Sequence, residues 1–140
     1  MAELLGIEKT EPFGLHQGQK IGYKGKLSRP LSTEEAAKKI SFMNRPPLGI
    51  YPFGKKENLT CAVVSGGAAF DAFQAMDEGI DLFISGEASH TLYHHAQEAC
   101  LNIIAGGHYS TEVWGVTRLM EESINKLGVE SEFIDLPTGL

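Results

Sequence analysis

The sequence predicts an α/β fold: a mostly parallel sheet with helices on its faces and glycine-rich strand ends. Three observations carry this. From Asn58 onward, short apolar runs alternate three times with segments of helical spacing, before one last run. Each of the first three runs ends in glycine, at Gly66-Gly67, Gly86 and Gly106-Gly107. The length of 140 residues, with 42% apolar content, suits a single α/β domain over 1–140 with a real core.

In order, residues 2–7 read as the tail of a helix and 11–18 as a loop. Residues 20–27 alternate apolar and basic side chains, the pattern of a half-exposed strand weakened by two glycines. Ser32-Thr33-Glu34-Glu35 is a capping box, in which Ser32 caps the helix and Glu35 reaches back, with Leu31 as the hydrophobic staple. That helix runs to about Asn44, where Arg45-Pro46-Pro47 stops it. Residues 48–53 carry Pro52 and read as an edge strand. Beyond Asn58 the strands fall at 60–65, 81–85 and 101–105. The helices fall at 68–78, 89–100 and 111–127, the first ended by Gly79 and the third by Gly128. A last strand spans 129–136 and is closed by Pro137. Parallel strands joined by right-handed crossovers would leave the carboxyl edge of the sheet open to a ligand.

The net charge of −6 argues against a dominant phosphate-binding surface, so no nucleic-acid interface is expected. Cys61 and Cys100 sit in apolar segments without metal-type spacing and read as small buried thiols in a reducing compartment. The first residues lack a basic n-region, and no apolar run approaches the ~20 residues of a membrane span. The expectation is a soluble, cytoplasmic chain without a membrane partner.

The chemistry concentrates in Ala105-Gly106-Gly107-His108-Tyr109-Ser110-Thr111-Glu112. If a helix begins near His108, the spacing of four puts His108 and Glu112 on one face. A neutral imidazole and a carboxylate suit a divalent Zn, Mn or Fe ion. The same spacing fits a surface ion pair or a helix-start carboxylate favoured by the dipole. Glu87 follows Gly86, and His90 stands three residues on. If the second and third strands are neighbours, both face the cleft of His108. Glu87 then reads as a general base, a substrate contact or a helix-start carboxylate. His90 and His94 read as a chelating pair or a partly exposed face. Gly66-Gly67-Ala68 reads as a tight turn or an anion site. Val113, Trp114 and Leu119 read as packing residues, and Tyr51-Pro52-Phe53 as an interface or a piece of core.

Four stretches occur together in order: Val64-Ser65-Gly66-Gly67-Ala68, Ile84-Ser85-Gly86-Glu87-Ala88-Ser89, the His108–Glu112 element, and Phe133-Ile134-Asp135-Leu136-Pro137. With them the chain resembles the NGG-interacting-factor-like dinuclear metal centre family, also known as type 2 GTP cyclohydrolase homologues. The resemblance is best over residues 58–140 and extends more loosely to Leu4-Leu5-Gly6 and Ile21-Gly22. It implies that His108 and Glu112 are metal ligands and that Glu87 lies near the site without being one. It implies a metal-dependent hydrolase acting on a purine nucleotide or similar small molecule, with Glu87 and His90 either supporting the metal ligands from behind or acting catalytically in proton transfer. It also implies a homo-oligomer, hexameric in the type members. A non-catalytic homo-oligomeric assembly module is the alternative. Family members are about twice as long, and their first half supplies a His-His pair and an Asp. Nothing here matches these, and His94-His95 lies in a different helix. The resemblance therefore implies the C-terminal half of the family fold, with an incomplete dinuclear site.

Overall fold

The computed structural model describes residues 1–138. Its strands are β1 (Ile7–His16), β2 (Gln19–Leu31), β3 (Gly49–Tyr51), β4 (Asn58–Val63), β5 (Leu82–Ser85) and β6 (Asn102–Ala105). Its helices are α1 (Ala2–Leu5), α2 (Thr33–Ile40), α3 (Ala72–Asp77), α4 (Leu92–Glu98) and α5 (His108–Leu127). Short 3₁₀ turns at Phe42–Asn44 and Ala69–Asp71 end α2's connection and lead into α3.

The strands form one sheet in the order β1-β2-β4-β5-β6-β3. The centre is parallel: β4 pairs with β5 and β5 with β6. The outer pairings, β1 with β2, β2 with β4 and β3 with β6, are antiparallel. The mostly parallel sheet expected from the sequence is therefore a mixed one in which antiparallel pairings outnumber parallel ones among the described residues. The strand–helix alternation that signals parallel pairing covers only the three central strands. Of the strands before it, β1 and β2 form a long hairpin, which needs no helical crossover, and β3 pairs antiparallel with β6.

Residues 11–18 were expected as a loop, yet most of them belong to β1. Glu11, Pro12 and Gly14 break the alternation there, but β1 is an edge strand, where proline is tolerated. The expected edge strand around Ile50 forms β3 at the other edge, with Pro52 just outside it. The expected strand at 129–136 does not form. The free edge of β6 is already paired with β3, so that segment finds side-chain partners instead. Tyr109 Oη accepts the Leu136 N–H at 3.0 Å, and Arg45 and Tyr109 both hold Asp135.

The sheet's two faces follow from the period of two along each strand. Cys61, Val63, Leu82, Ile84 and Ile104 pack with Leu5 of α1 and Ala36, Ala37 and Ile40 of α2. Ala62, Val64, Phe83 and Ile103 point the other way, onto Ala72 and Ala75 of α3 and Leu92 and Ala96 of α4. β5 and β6 are buried at every position, as central parallel strands covered on both faces should be. The capping box of α2 is present, with the Glu35 N–H donating to Ser32 Oγ at 3.1 Å and the Ser32 N–H to Glu35 Oε2 at 3.1 Å. At the amino edge, Asn102 Nδ2 donates to Asn58 Oδ1 and Lys55 O, each at 2.8 Å. The nearby Asp81 carboxylate accepts from the Leu59 and Thr60 N–H groups and from Lys55 Nζ.

Two packing expectations need correction. Cys61 is buried, but Cys100 is exposed in the turn between α4 and β6. Val113 is buried and Trp114 packs edge-on against Phe42, whereas Leu119 is 68% exposed, beyond the last buried residue of α5. Among the described residues, no helix is long and apolar enough to cross a membrane.

Candidate metal centre

The carboxyl ends of β4, β5 and β6 meet the start of α5. Gly107, at φ 94°, caps that helix, and His108 is its first residue, three earlier than its apolar spacing predicts. The early start puts His108 and Glu112 one turn apart on the same face. His108 Nε2 lies 3.3 Å from Glu112 Oε1. From the end of β5, Glu87 reaches the other ring nitrogen, with Oε1 2.6 Å from His108 Nδ1.

Backbone contacts fix this junction. Gly66 O accepts from the Gly86 N–H at 3.0 Å, and Gly86 O accepts from the Gly107 N–H at 2.9 Å. Thr111, buried, donates its hydroxyl to Gly107 O at 2.9 Å and accepts the Gly66 N–H at 3.0 Å. Gly66, at φ +69°, folds over the dyad. A Cβ there would stand 2.8 Å from Glu112 Oε1 and 3.3 Å from His108 Nε2, so glycine keeps the space between them open. The Gly66-Gly67 segment is thus a tight turn. Its Gly66 N–H is committed to Thr111 and is not offered to an anion.

The electrostatics follow from the geometry. The Glu87 carboxylate bonded at Nδ1, helped by the negative charge of Glu112, raises the His108 pKa above its ordinary value despite some desolvation. When the neutral ring donates its Nδ1 proton to Glu87, Nε2 carries a lone pair facing the Glu112 oxygen. That pairing is repulsive until a proton or a cation sits between the two atoms. A carboxylate on the far nitrogen of a ligating histidine is the usual way of fixing its tautomer. The donor chemistry and the open space beside Gly66 therefore fit a divalent ion. The fit is partial: the dyad offers two donors where such ions take four or more. Among the described residues, no group of three or more His, Cys, Asp or Glu side chains is arranged to hold a metal.

Of the residues singled out in the sequence, the structure gathers His108, Glu112 and Glu87. His90 is not bonded to any of them, but it lines a cavity of about 300 Å³ that Glu87 also borders. His94 meets Tyr93 edge-on through its ring. Sequence reasoning missed Thr111 and Ser85. Ser85 Oγ accepts the Glu87 N–H at 3.3 Å and so helps set its direction. The signal available for Thr111 was its place one turn after a glycine helix cap, where a hydroxyl can close back on the first carbonyls.

This arrangement defines a class: a mixed α/β protein with a histidine–carboxylate dyad at the carboxyl edge of a parallel core. More narrowly, the chain belongs to the Duf34/NIF3 (NGG1p interacting factor 3) family, whose model matches residues 1–138. It is 40% identical over 136 residues to the GTP cyclohydrolase 1 type 2 homolog of Archaeoglobus fulgidus, covering 97% of this chain and 54% of that protein. The homolog of the same name from Pyrococcus abyssi is 41% identical over 143 residues, covering 100% and 56%. Among solved structures, the ybgI protein, of unknown function, superposes with a TM-score of 0.81 at 30% identity, covering 98% of this chain and 54% of that one. Reduced HcgD from Methanocaldococcus jannaschii superposes with a TM-score of 0.72 at 27% identity, covering 92% and 51%. The chain spans about half the length of the relatives it matches.

Proposed function

We propose that this chain is the dyad-bearing half of a metal-dependent hydrolase of the type 2 GTP cyclohydrolase-like kind. The observation that carries the reading is His108, bonded through Nδ1 to Glu87 and aimed through Nε2 at Glu112 across the space Gly66 leaves. His108 and Glu112 would hold a Zn, Mn or Fe ion. Such an ion supplies Lewis acidity toward water and substrate. Glu87 acts through His108 by fixing its tautomer, and His90 stands on the cavity wall where it can exchange a proton with a bound small molecule. The remaining ligands come from outside the residues described here, and the substrate is a small nucleotide-like molecule.

The test is metal uptake. Equilibrium dialysis against Zn²⁺, Mn²⁺ and Fe²⁺ should load the protein, His108→Ala and Glu112→Ala should abolish loading, and Glu87→Gln should weaken it about 10-fold or more. Absence of uptake, or uptake indifferent to His108, ends the hydrolase reading.

A second reading, a non-catalytic homo-oligomeric assembly module, has its own support. After its first turns α5 exposes Val116, Leu119, Ile124 and Leu127, an apolar stripe at helical spacing. A multimer, hexameric by the family resemblance, seen by sedimentation without metal or turnover would favour it.

A further inference from the structure

We propose that the cavity bordered by Glu87 binds a small organic cation of the methylated-ammonium class. The charged head sits in the corner made by Tyr51, Phe53 and Tyr93, and the Glu87 carboxylate balances its charge. The inference goes beyond the hydrolase reading and does not rest on it. The proposed metal faces Nε2 of His108, whereas Glu87 stands on the Nδ1 side of that ring.

The corner is built from two elements. Tyr51 ends β3, and the Phe53 N–H donates to Tyr51 O at 3.1 Å, turning the chain at Pro52. The two rings stand 6.1 Å apart between centroids and are inclined by only 34°. Tyr93, from α4, stands nearly perpendicular to both, at 89° to Tyr51 and 80° to Phe53. Phe83 and Ile103 of β5 and β6 line the cavity below these rings. Ala69 and Ala96 line it too, and their single methyls leave room that larger side chains would fill. The space amounts to about 300 Å³, at the small end of ligand sites. Tyr93 is 43% exposed, so the corner is reached from solvent.

Charge decides between ligand types. The face of an aromatic ring carries the negative lobe of its quadrupole, and rings set at right angles attract a cation from two directions. No Lys or Arg lines the cavity; its ionisable groups besides the tyrosines are Glu87 and His90. An anionic ligand has no such partner there, and Glu87 repels it. Glu87 is half exposed, which places its charge at the mouth of the cavity. The kind of cation follows from the lining. A primary ammonium brings three N–H donors that need acceptors, and Phe83, Ile103 and the alanine methyls offer none. Methyl groups on the nitrogen remove the donors, keep the charge and pack against apolar walls.

The probe is choline, titrated calorimetrically into protein freed of metal with EDTA, so that the result is independent of Zn²⁺ uptake. The control is dimethylbutanol, which has the same shape with carbon in place of the charged nitrogen. Choline should bind, and dimethylbutanol should bind about 5-fold more weakly or worse. Tyr93→Leu keeps apolar bulk but removes one ring face and should weaken choline about 3-fold or more. Tyr93→Phe keeps the face and should stay within about twofold of the parent, which also shows that the rim tolerates substitution. Glu87→Gln keeps the shape, removes the charge and should weaken choline while leaving dimethylbutanol unchanged. Choline failing to bind overturns the proposal. Equal binding of dimethylbutanol overturns it too, since the cavity would then be merely apolar. So does choline binding like the parent in either Tyr93→Leu or Glu87→Gln.

Discussion

Replacing Gly66 by alanine separates backbone strain from damage to the dyad. Gly66 has φ +69°, and a Cβ there meets Glu112 Oε1 at 2.8 Å and His108 Nε2 at 3.3 Å. Gly79 supplies the control, with φ +64° and no heavy atom within 4 Å of its Cβ position. Both substitutions force an L-residue into the left-handed region, at a cost of about 1 kcal/mol. The atoms met at Gly66 are the tips of exposed side chains, which can swing aside at little further cost. Both variants should therefore lose about 1 kcal/mol, a fall in Tm of roughly 4 °C for a chain of this size. They should part on metal. The new methyl occupies the space between the two donors, so Zn²⁺ affinity should fall about 10-fold or more in Gly66→Ala, comparable to the loss of an orienting group. Gly79→Ala should bind Zn²⁺ like the parent. Thermal unfolding followed by circular dichroism reads the first quantity and equilibrium dialysis the second. Equal Zn²⁺ affinity in the two variants refutes the cradle, and so does a stability loss at Gly66 several times that at Gly79.

Two further outcomes follow from contacts elsewhere. Gly86→Ala should be costly without any φ penalty, because its Cβ would meet main chain: Gly66 O at 2.6 Å and His108 Cα at 2.9 Å. Urea unfolding should show a loss of about 3 kcal/mol, at the upper end for overpacking, and a loss under about 1 kcal/mol would mean the β4–β5–α5 junction is looser than its contacts imply. Asp81 should make stability depend on acid pH. Burial pushes its carboxyl up, but donors from Lys55, Leu59 and Thr60 outweigh this and hold the pKa below its ordinary value. A folded pKa below the unfolded one gives stabilisation that is complete above about pH 4 and lost as pH falls through the folded value. Asp81→Asn should cost about 2 kcal/mol at neutral pH and flatten that acid limb; an unchanged limb would assign it to other carboxylates.

What the sequence revealed of the fold depended on where a local pattern matched a local cause. The capping box at Ser32 and Glu35, the glycine stop at Gly128 and the buried runs of β5 and β6 are set by neighbours within a few residues, and each was legible. The sheet's mixed character was hidden because β1 and β2 pair through a ladder whose outer strand carries Glu11, Pro12 and Gly14 and buries little. The residues at 129–136 have strand composition, but composition says nothing about whether a sheet edge is vacant. β3 had taken the one beside β6. Helix lengths erred for a similar reason. Apolar spacing from Thr111 onward marks a helix face but misses the first turn, where His108, Tyr109 and Ser110 are polar or half-buried and the cap is a glycine at positive φ.

The candidate site shows the same division. His108 and Glu112 were legible as a pair because one helical turn connects them, and Glu87 was legible as a neighbour because Gly86 marks the adjacent strand end. Their roles were not. Sequence spacing left Glu87 open between general base, substrate contact and helix-start carboxylate. Its bond to Nδ1, the nitrogen away from Glu112, makes it a positioning group for the ring. Burial is the deciding quantity here. Glu87 and Glu112 are each about half exposed and His108 is 40% exposed, so the dyad faces outward across the sheet edge. On the metal reading proposed above, the further donors a divalent ion takes would reach the dyad from that open side. In such a centre the junction of β4, β5 and α5 would set His108 and Glu112, and whatever covers that edge would set the rest.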